Sequence, residues 1–236
     1  MSAGFVSSAT QPITSFAELR RCAPPLGPKR VAIVAADDEV ALTAADGALH
    51  LGIAIPVLIG DERKIRAKAE ALHLSGLLAG AEFVSTDDAA AVATQMAREG
   101  RVDLLLKGHL RTDELLRAVL DKQAGLRTGR LLSDVLLYED KLAGEVRLVG
   151  ISDGGLNVAP NLEQKKQIVQ NAIEVMRSLG IARPKIAIMS ATEAVRTSRF
   201  ARTPLSNCSC ARSYWLCARS RLAFARSARA RRSLSE

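Results

Sequence analysis

The stretch Val31-Ala-Ile-Val-Ala-Ala-Asp-Asp38 decides how the rest of the chain is read. Six apolar residues run without a polar break, as in a strand buried on both faces of a parallel sheet. The two aspartates that follow are N-cap residues, so a helix is expected from Asp37 or Asp38 to about Leu51, ended by Gly52. The unit then recurs. Pro56 to Ile59 reads as a strand, and Gly60-Asp61 opens a helix to about Leu72. Ala81 to Val84 is a short strand, and Asp87-Asp88 opens a helix to Glu99, ended by Gly100. Val102 to Leu106 is a further strand, and Thr112 is read as the cap of a helix from Asp113 to about Lys122. Such alternation predicts an α/β layered fold with a mainly parallel sheet. Ligands of such sheets bind at the carboxyl ends of the strands, here Ala36-Asp37, Gly60-Asp61 and Lys107-Gly108.

Working outward, Thr14 to Arg21 reads as a short helix capped by Thr14 or Ser15, followed by a linker rich in proline (Pro24, Pro25, Gly27, Pro28). On the other side, Leu131 to Tyr138 and Val146 to Ile151 are strand candidates joined by a hairpin-like link over residues 139–145. Asn161 with Gln164 three positions on is a capping box, so a long helix is expected to Leu179, ended by Gly180. Lys185 to Met189 is the last expected strand.

At 236 residues the chain has room for one large domain or two small ones. Aromatic residues are only 3% of it, so the core must be aliphatic. No apolar run approaches the ~20 residues of a membrane span, and the first twelve residues lack a secretory pattern, so a cytoplasmic protein is expected. The net charge of +8 suggests nucleic acid until it is located. Residues 1–195 carry 23 Lys and Arg against 24 Asp and Glu, while residues 196–236 carry ten arginines and one acid. The basicity is confined to the tail, and nucleic acid and membrane are not expected partners. Cys208, Cys210 and Cys217 crowd the same tail, but Cys208-Ser-Cys210 is too tight for a usual zinc pair and no histidine follows, so no metal is expected.

Two segments carry the candidate chemistry. The first is Lys107-Gly-His-Leu-Arg-Thr-Asp-Glu-Leu-Leu-Arg117, with a second basic turn at Arg127-Thr128-Gly129-Arg130. It leaves a strand, passes a glycine and enters a helix, so backbone N–H groups and the Lys107 and Arg111 cations can meet an anion together. A solvated loop with ordinary capping is the plainer reading. The second is Ser152-Asp153-Gly-Gly-Leu-Asn157-Val-Ala-Pro160, where paired glycines allow close approach and Asp153 and Asn157 can orient polar groups. A plain turn-forming loop is equally open. His50 and His73 are expected at helix surfaces or ends, His109 lies within the basic loop, Cys22 is read as incidental, and Asp37 and Asp38 as caps.

Several pieces, in this order and spacing, resemble the phosphate acetyl/butyryltransferase family. They are Lys107-Gly108 with Thr112 to Arg117, Gly125 to Ser133, Asp153-x-x-x-Asn157-x-x-Pro160-x-Leu162 to Lys165, Asn171-Ala172, and Lys185 to Glu193. The likeness runs over residues 29–195, with the butyryl-type branch closer. The resemblance implies a three-layer α/β/α, two-domain architecture like that of isopropylmalate and isocitrate dehydrogenases, usually homodimeric. Its boundaries here are an N-terminal helix and linker at 1–28, a first domain at 29–140, a partial second domain at 141–195, and an unrelated tail at 196–236 expected to be disordered. The implied reaction is acyl-CoA plus phosphate to acyl phosphate plus CoA, with acetyl or butyryl as the acyl group. Coenzyme A is a substrate, and no resident cofactor is needed. Arg117 matches a family arginine implicated in substrate binding, and Lys107, Thr112, Arg127, Thr128 and Ser133 lie on segments that line the same cleft; Asp153 and Asn157 are taken as further substrate-binding candidates.

Family members continue beyond the strand matching Lys185–Met189 with motifs that include a Ser-Arg pair and an aspartate base. Residues 196–236 carry no counterpart, so the catalytic residues are unassigned. An out-of-frame tail, impaired activity and poor solubility are expected. The rival readings are a non-catalytic module that binds CoA, phosphate or a protein partner, and a hydroxyacid dehydrogenase of the same fold. The latter lacks a Gly-x-Gly-x-x-Gly fingerprint after the first strand.

Overall fold

The computed structural model describes residues 11–141 and 144–189. It divides after Ile181 into two units. All the α-helices and strands of the described residues belong to the first, as does a 3-10 turn at Pro24–Leu26. In chain order they are α1 Phe16–Cys22, β1 Lys29–Val34, α2 Glu39–His50, β2 Ala54–Gly60, α3 Glu62–Ala71, α4 Ser75–Gly80 and β3 Glu82–Ser85. These are followed by α5 Ala89–Arg98, β4 Leu104–Lys107, α6 Thr112–Val119, β5 Leu136–Asp140, β6 Arg147–Ile151 and α7 Leu162–Ser178.

The first four strands form one parallel sheet in the order β3-β2-β1-β4. Because side chains alternate along a strand, the central strands feed two cores. Ile33 and Leu58 point to one face and pack with Leu42 of α2, Ile65 of α3 and Leu77 of α4. Ala32, Val34, Val57 and Ile59 point to the other and pack with Ala93 and Met96 of α5. The result is helix, sheet, helix, the α/β layering expected from the alternating sequence. Leu58, Ile59 and Ile65 are fully buried, each worth about 1.5–3 kcal/mol of transfer free energy. β4 is an edge strand, and its Leu104 and Leu106 are exposed while Leu105 joins the α5 core.

The helix starts follow the sequence closely. Ser15, Asp38, Asp61, Asp88 and Asn161 each accept a backbone N–H of the following turn, and Asn161 and Gln164 complete the capping box. Three helices end on a glycine in the left-handed region: Gly52, Gly100 and Gly180. α3 ends the same way on His73, with φ 58°. His73 N–H reaches Glu70 O and Leu74 N–H reaches Ala69 O, a Schellman closure without glycine.

Beyond the sheet, β5 and β6 form an antiparallel hairpin, with Leu136 opposite Ile151 and Asp140 opposite Arg147. Leu148 of its inner face packs with Ile13 and Leu179, flanked by Phe16, Leu19, Leu137 and Met176. A hairpin is what the sequence suggested here, although Leu142 and Ala143 of its link lie outside the described residues.

Four expectations need correction. α4 was not foreseen, because its six residues are too few to show a period. Thr112 is the first helical residue of α6 and not its cap; Arg111 holds that place, with no side-chain capping bond. Residues 131–135 form no strand, because side chains take their backbone groups. Leu131 N–H donates to Gln167 and Leu131 O accepts from Asn171, while Leu132 O accepts from Asn157 and Asp134 O from Ser152. Lys185–Met189 form no strand either. No described strand pairs with them, and Ile188 and Met189 are exposed. Residues 190–236, with the tail cysteines and arginines, lie outside the described residues.

Candidate functional site

The order β3-β2-β1-β4 puts a switch point at the carboxyl ends of β1 and β4. The chain leaves β1 toward β2 on one side and returns from β3 to lay β4 on the other, so the two connections diverge and leave a crevice. The backbone there is tightly built. Ala35, just after β1, is a non-glycine residue at φ 55°. Gly108 N–H donates to Val34 O at 2.8 Å and His109 N–H to Ala35 O at 2.7 Å. A Cβ on Gly108 would sit 2.2 Å from Ala35 O, so only glycine fits.

This close approach sets out the polar residues of the β4–α6 connection. Lys107 Nζ donates to Leu110 O at 2.9 Å and Gly108 O at 3.3 Å, which folds the ammonium over the loop. His109 Nδ1 lies 3.3 Å from Asp37 Oδ2, joining the β1 and β4 connections across the crevice. The sequence offered Asp37 as a cap; Asp38 does the capping, which frees Asp37 for this contact.

At the start of α6, two arginines share one carboxylate. Arg111 Nε is 2.9 Å from Asp113 Oδ1, and Arg117 Nη2 is 3.5 Å from Asp113 Oδ2. The Arg111 hydrogen bond, with the charge of both arginines, holds the Asp113 carboxyl below its ordinary range. All three side chains are well exposed, so the triad contributes little to stability. It ties Arg111, the residue before α6, and Arg117, in its last turn, to one carboxylate in the first turn of a helix that has no side-chain cap. Thr112 stands exposed in the same turn.

After α6 the chain turns sharply. Asp121 Oδ1 accepts from Ala124 and Gln123 N–H, which holds its carboxyl below the ordinary aspartate range and ends the helix before Lys122. The exposed Arg127 and Thr128 follow. Arg130, in the same basic turn, is committed elsewhere, donating to Glu174 and Asn171 of α7.

The remaining residues proposed from the sequence form a second hydrogen-bonded group. Asp153 accepts from Leu156 N–H at 3.1 Å and Asn157 N–H at 3.0 Å, and it also holds the Asn157 side-chain amide. Partial burial pushes the Asp153 carboxyl up, but hydrogen bonds from the Asn157 side chain and from Leu156 and Asn157 N–H outweigh it and leave it below its ordinary value. Asp134 accepts from Gly154 N–H at 2.7 Å. Ser133 Oγ accepts from Asn171 Nδ2 at 2.9 Å. Asp134 and Asn171, not singled out as site residues from the sequence, therefore knit the two loops to α7. Asn171 did stand in one of the quoted family pieces; Asp134 gave no signal.

A shallow depression of about 290 Å³ lies beside Asp61, Glu62, Arg63, Arg66 and Ser85 at the ends of β2 and β3. Arg66 there is already paired with Glu62 and stacked on Phe83. Among the described residues no cluster of three or more His, Cys, Asp or Glu side chains could hold a metal ion, and no helix is long and apolar enough to cross a membrane.

The layered α/β fold sets basic side chains such as Lys107 at the carboxyl ends of its strands, where sheets of this kind bind their ligands. The sequence model of the family described as phosphate acetyl/butaryl transferase matches residues 78–201, and the chain belongs to that family. It is 40% identical over 161 residues to a phosphate acetyltransferase of Rhizobium meliloti, covering 67% of this chain and 50% of that protein. It is 34% identical over 173 residues to a phosphate butyryltransferase of Clostridium beijerinckii, covering 72% and 56%. The chain thus spans about half the length of these curated relatives. The EutD phosphotransacetylase from Staphylococcus aureus shares the fold at 16% identity, with a TM-score of 0.52 over 69% of this chain and 57% of that one.

Proposed function

We propose that the protein transfers an acyl group between coenzyme A and inorganic phosphate, and that the β1–β4 crevice holds the phosphate-bearing groups. The observation that carries this reading is the pairing of Arg111 and Arg117 on Asp113 at the uncapped start of α6. A carboxylate is the stand-in for an anion there. A phosphate dianion carries more charge and more acceptor oxygens, and can take both guanidinium groups in its place. The N–H groups of the first turn of α6 supply a further favourable field.

In this reading Arg117 and Arg111 grip phosphate, Thr112 offers its hydroxyl, and Lys107 turns from the loop carbonyls toward the anion. Arg127 and Thr128 extend the basic rim toward the phosphates of coenzyme A. Ser133, Asp153 and Asn157 shape the loops beside them. Positive charge so placed stabilises the phosphate as it gains or loses its bond to the acyl carbon, the kind of term that dominates such reactions. Family membership supports the acyl substrate, and relatives named for both acetyl and butyryl groups support a short chain.

The test is calorimetric titration of the full chain with phosphate and with coenzyme A, beside the R117A variant. Binding that weakens at least tenfold in R117A supports the reading. Equal binding by both proteins, or none by the unsubstituted chain, refutes it. Binding without acyl transfer would favour a non-catalytic coenzyme A or phosphate module.

A further inference from the structure

We infer that two copies of this chain pair through the outer edge of β4, antiparallel and centred on Leu105, so that one sheet continues into the other.

β4 is last in the order β3-β2-β1-β4, and among the described residues no strand pairs with its far side. Asp103, just before β4, donates its N–H to Arg30 O at 2.8 Å, so the inward phase of the ladder falls on Asp103 and Leu105. The N–H and C=O groups of Leu104 and Leu106 therefore face outward. A row of such groups is a template for another strand. The usual protections are missing, for β4 has no proline and no charge before Lys107 at its end.

The side chains make the same offer. Leu104 and Leu106 lie in register with Val31 and Ile33 of β1, on one face of the sheet. On β1 that face is covered by Leu42 of α2 and its neighbours. On β4 it is open, with Leu104 56% and Leu106 37% exposed.

The occupant is identified by charge. Asp103-Leu-Leu-Leu-Lys107 is its own complement when reversed. Antiparallel pairing centred on Leu105 sets Leu104 opposite Leu106 of the second copy and Asp103 opposite Lys107, and the two-fold axis repeats both contacts. Leu104 and Leu106 then form hydrogen-bonded pairs, in which the two residues exchange both backbone bonds. Their side chains meet on the open face, while the opposite charges meet on the other. Centring on Leu104 instead sets Lys107 opposite Arg101, so charge fixes the register as well as the partner. Both ions are free to pair. Asp103 uses Oδ2 for Arg30 N–H, which leaves Oδ1 to accept the ammonium. Lys107 Nζ rests on the carbonyls of Gly108 and Leu110, weaker acceptors than a carboxylate.

The experiment uses the full chain, the D103K and K107D variants, and an equimolar mixture of the two variants. Sedimentation over a range of concentrations is expected to show a dimer for the unsubstituted chain. Each variant sets like charges opposite one another, so its dimer dissociation constant should rise about tenfold or more. In the mixture every altered charge meets its opposite, and the dimer should return. Amide hydrogen exchange on the unsubstituted chain needs no variant: Leu104 and Leu106 should gain protection as concentration rises. A monomer with both amides unprotected at every concentration overturns the proposal. Protection that does not change with concentration also overturns it, because another segment of the same chain then covers the edge. Dimers formed equally by the unsubstituted chain and both variants place the interface on another face, and a mixture that stays monomeric rejects the register.

Discussion

Gly108 lies so close to the end of β1 that a Cβ on it would stand 2.2 Å from Ala35 O and 2.9 Å from Val34 O. Both contacts are to backbone, so no side chain can swing aside. The substitution G108A must therefore push β4 away from β1 or break the two hydrogen bonds made by Gly108 and His109. A loss of about 2–3 kcal/mol is expected in denaturant unfolding. Coenzyme A and phosphate binding should fall with it, because Lys107, His109 and Arg111 all hang from this contact.

Asn171 ties α7 to the loop that carries Ser133. Its amide donates to Leu131 O and Ser133 Oγ, and its carbonyl accepts from Arg130. Asn171→Leu leaves these groups without their partner. A destabilisation of about 1–3 kcal/mol is expected from the urea midpoint at constant slope. N171D, which keeps the Arg130 contact, should recover part of it.

Asp153 titrates against the fold. Its carboxyl is held below its ordinary value in the folded chain, so folding favours the ionised form. The contribution is complete above the unfolded aspartate value of about 3.9 and is lost as pH falls through the depressed folded value. Acid unfolding followed by circular dichroism should therefore show D153N with a flatter profile below about pH 4. Above that range the two proteins should differ by a constant amount.

His73 closes α3 at φ 58°, a conformation in which glycine has no Cβ penalty. Its side chain is exposed, so little packing is lost on replacement. H73G is expected to raise stability by about 0.5–1 kcal/mol, read as a higher melting temperature. A fall in Tm would show that the imidazole makes a contribution of its own.

The layered fold was legible because its signals are local. Apolar runs such as Val31–Ala36, aspartate caps and terminal glycines sit side by side in the sequence. Residues 131–135 misled because their apolar character says nothing of Asn157, Gln167 and Asn171, which take their backbone groups from 25 to 40 positions away. The basic residues of the site were legible as a cluster, Lys107 to Arg117. The Asp37–His109 contact was not, because 72 residues separate the pair and only the parallel β1–β4 register brings them together. Arg130 shows the reverse: its sequence context matched that of Arg127, but α7 claims it.

Acyl-phosphate formation from acetyl- or butyryl-coenzyme A and phosphate, measured for the full chain and for R117A, tests whether the β1–β4 crevice carries the transfer. Acyl phosphate is expected in proportion to protein, with kcat/KM for phosphate about 10²-fold lower in R117A. Equal rates for the two proteins, or no acyl phosphate from a folded chain, would contradict it.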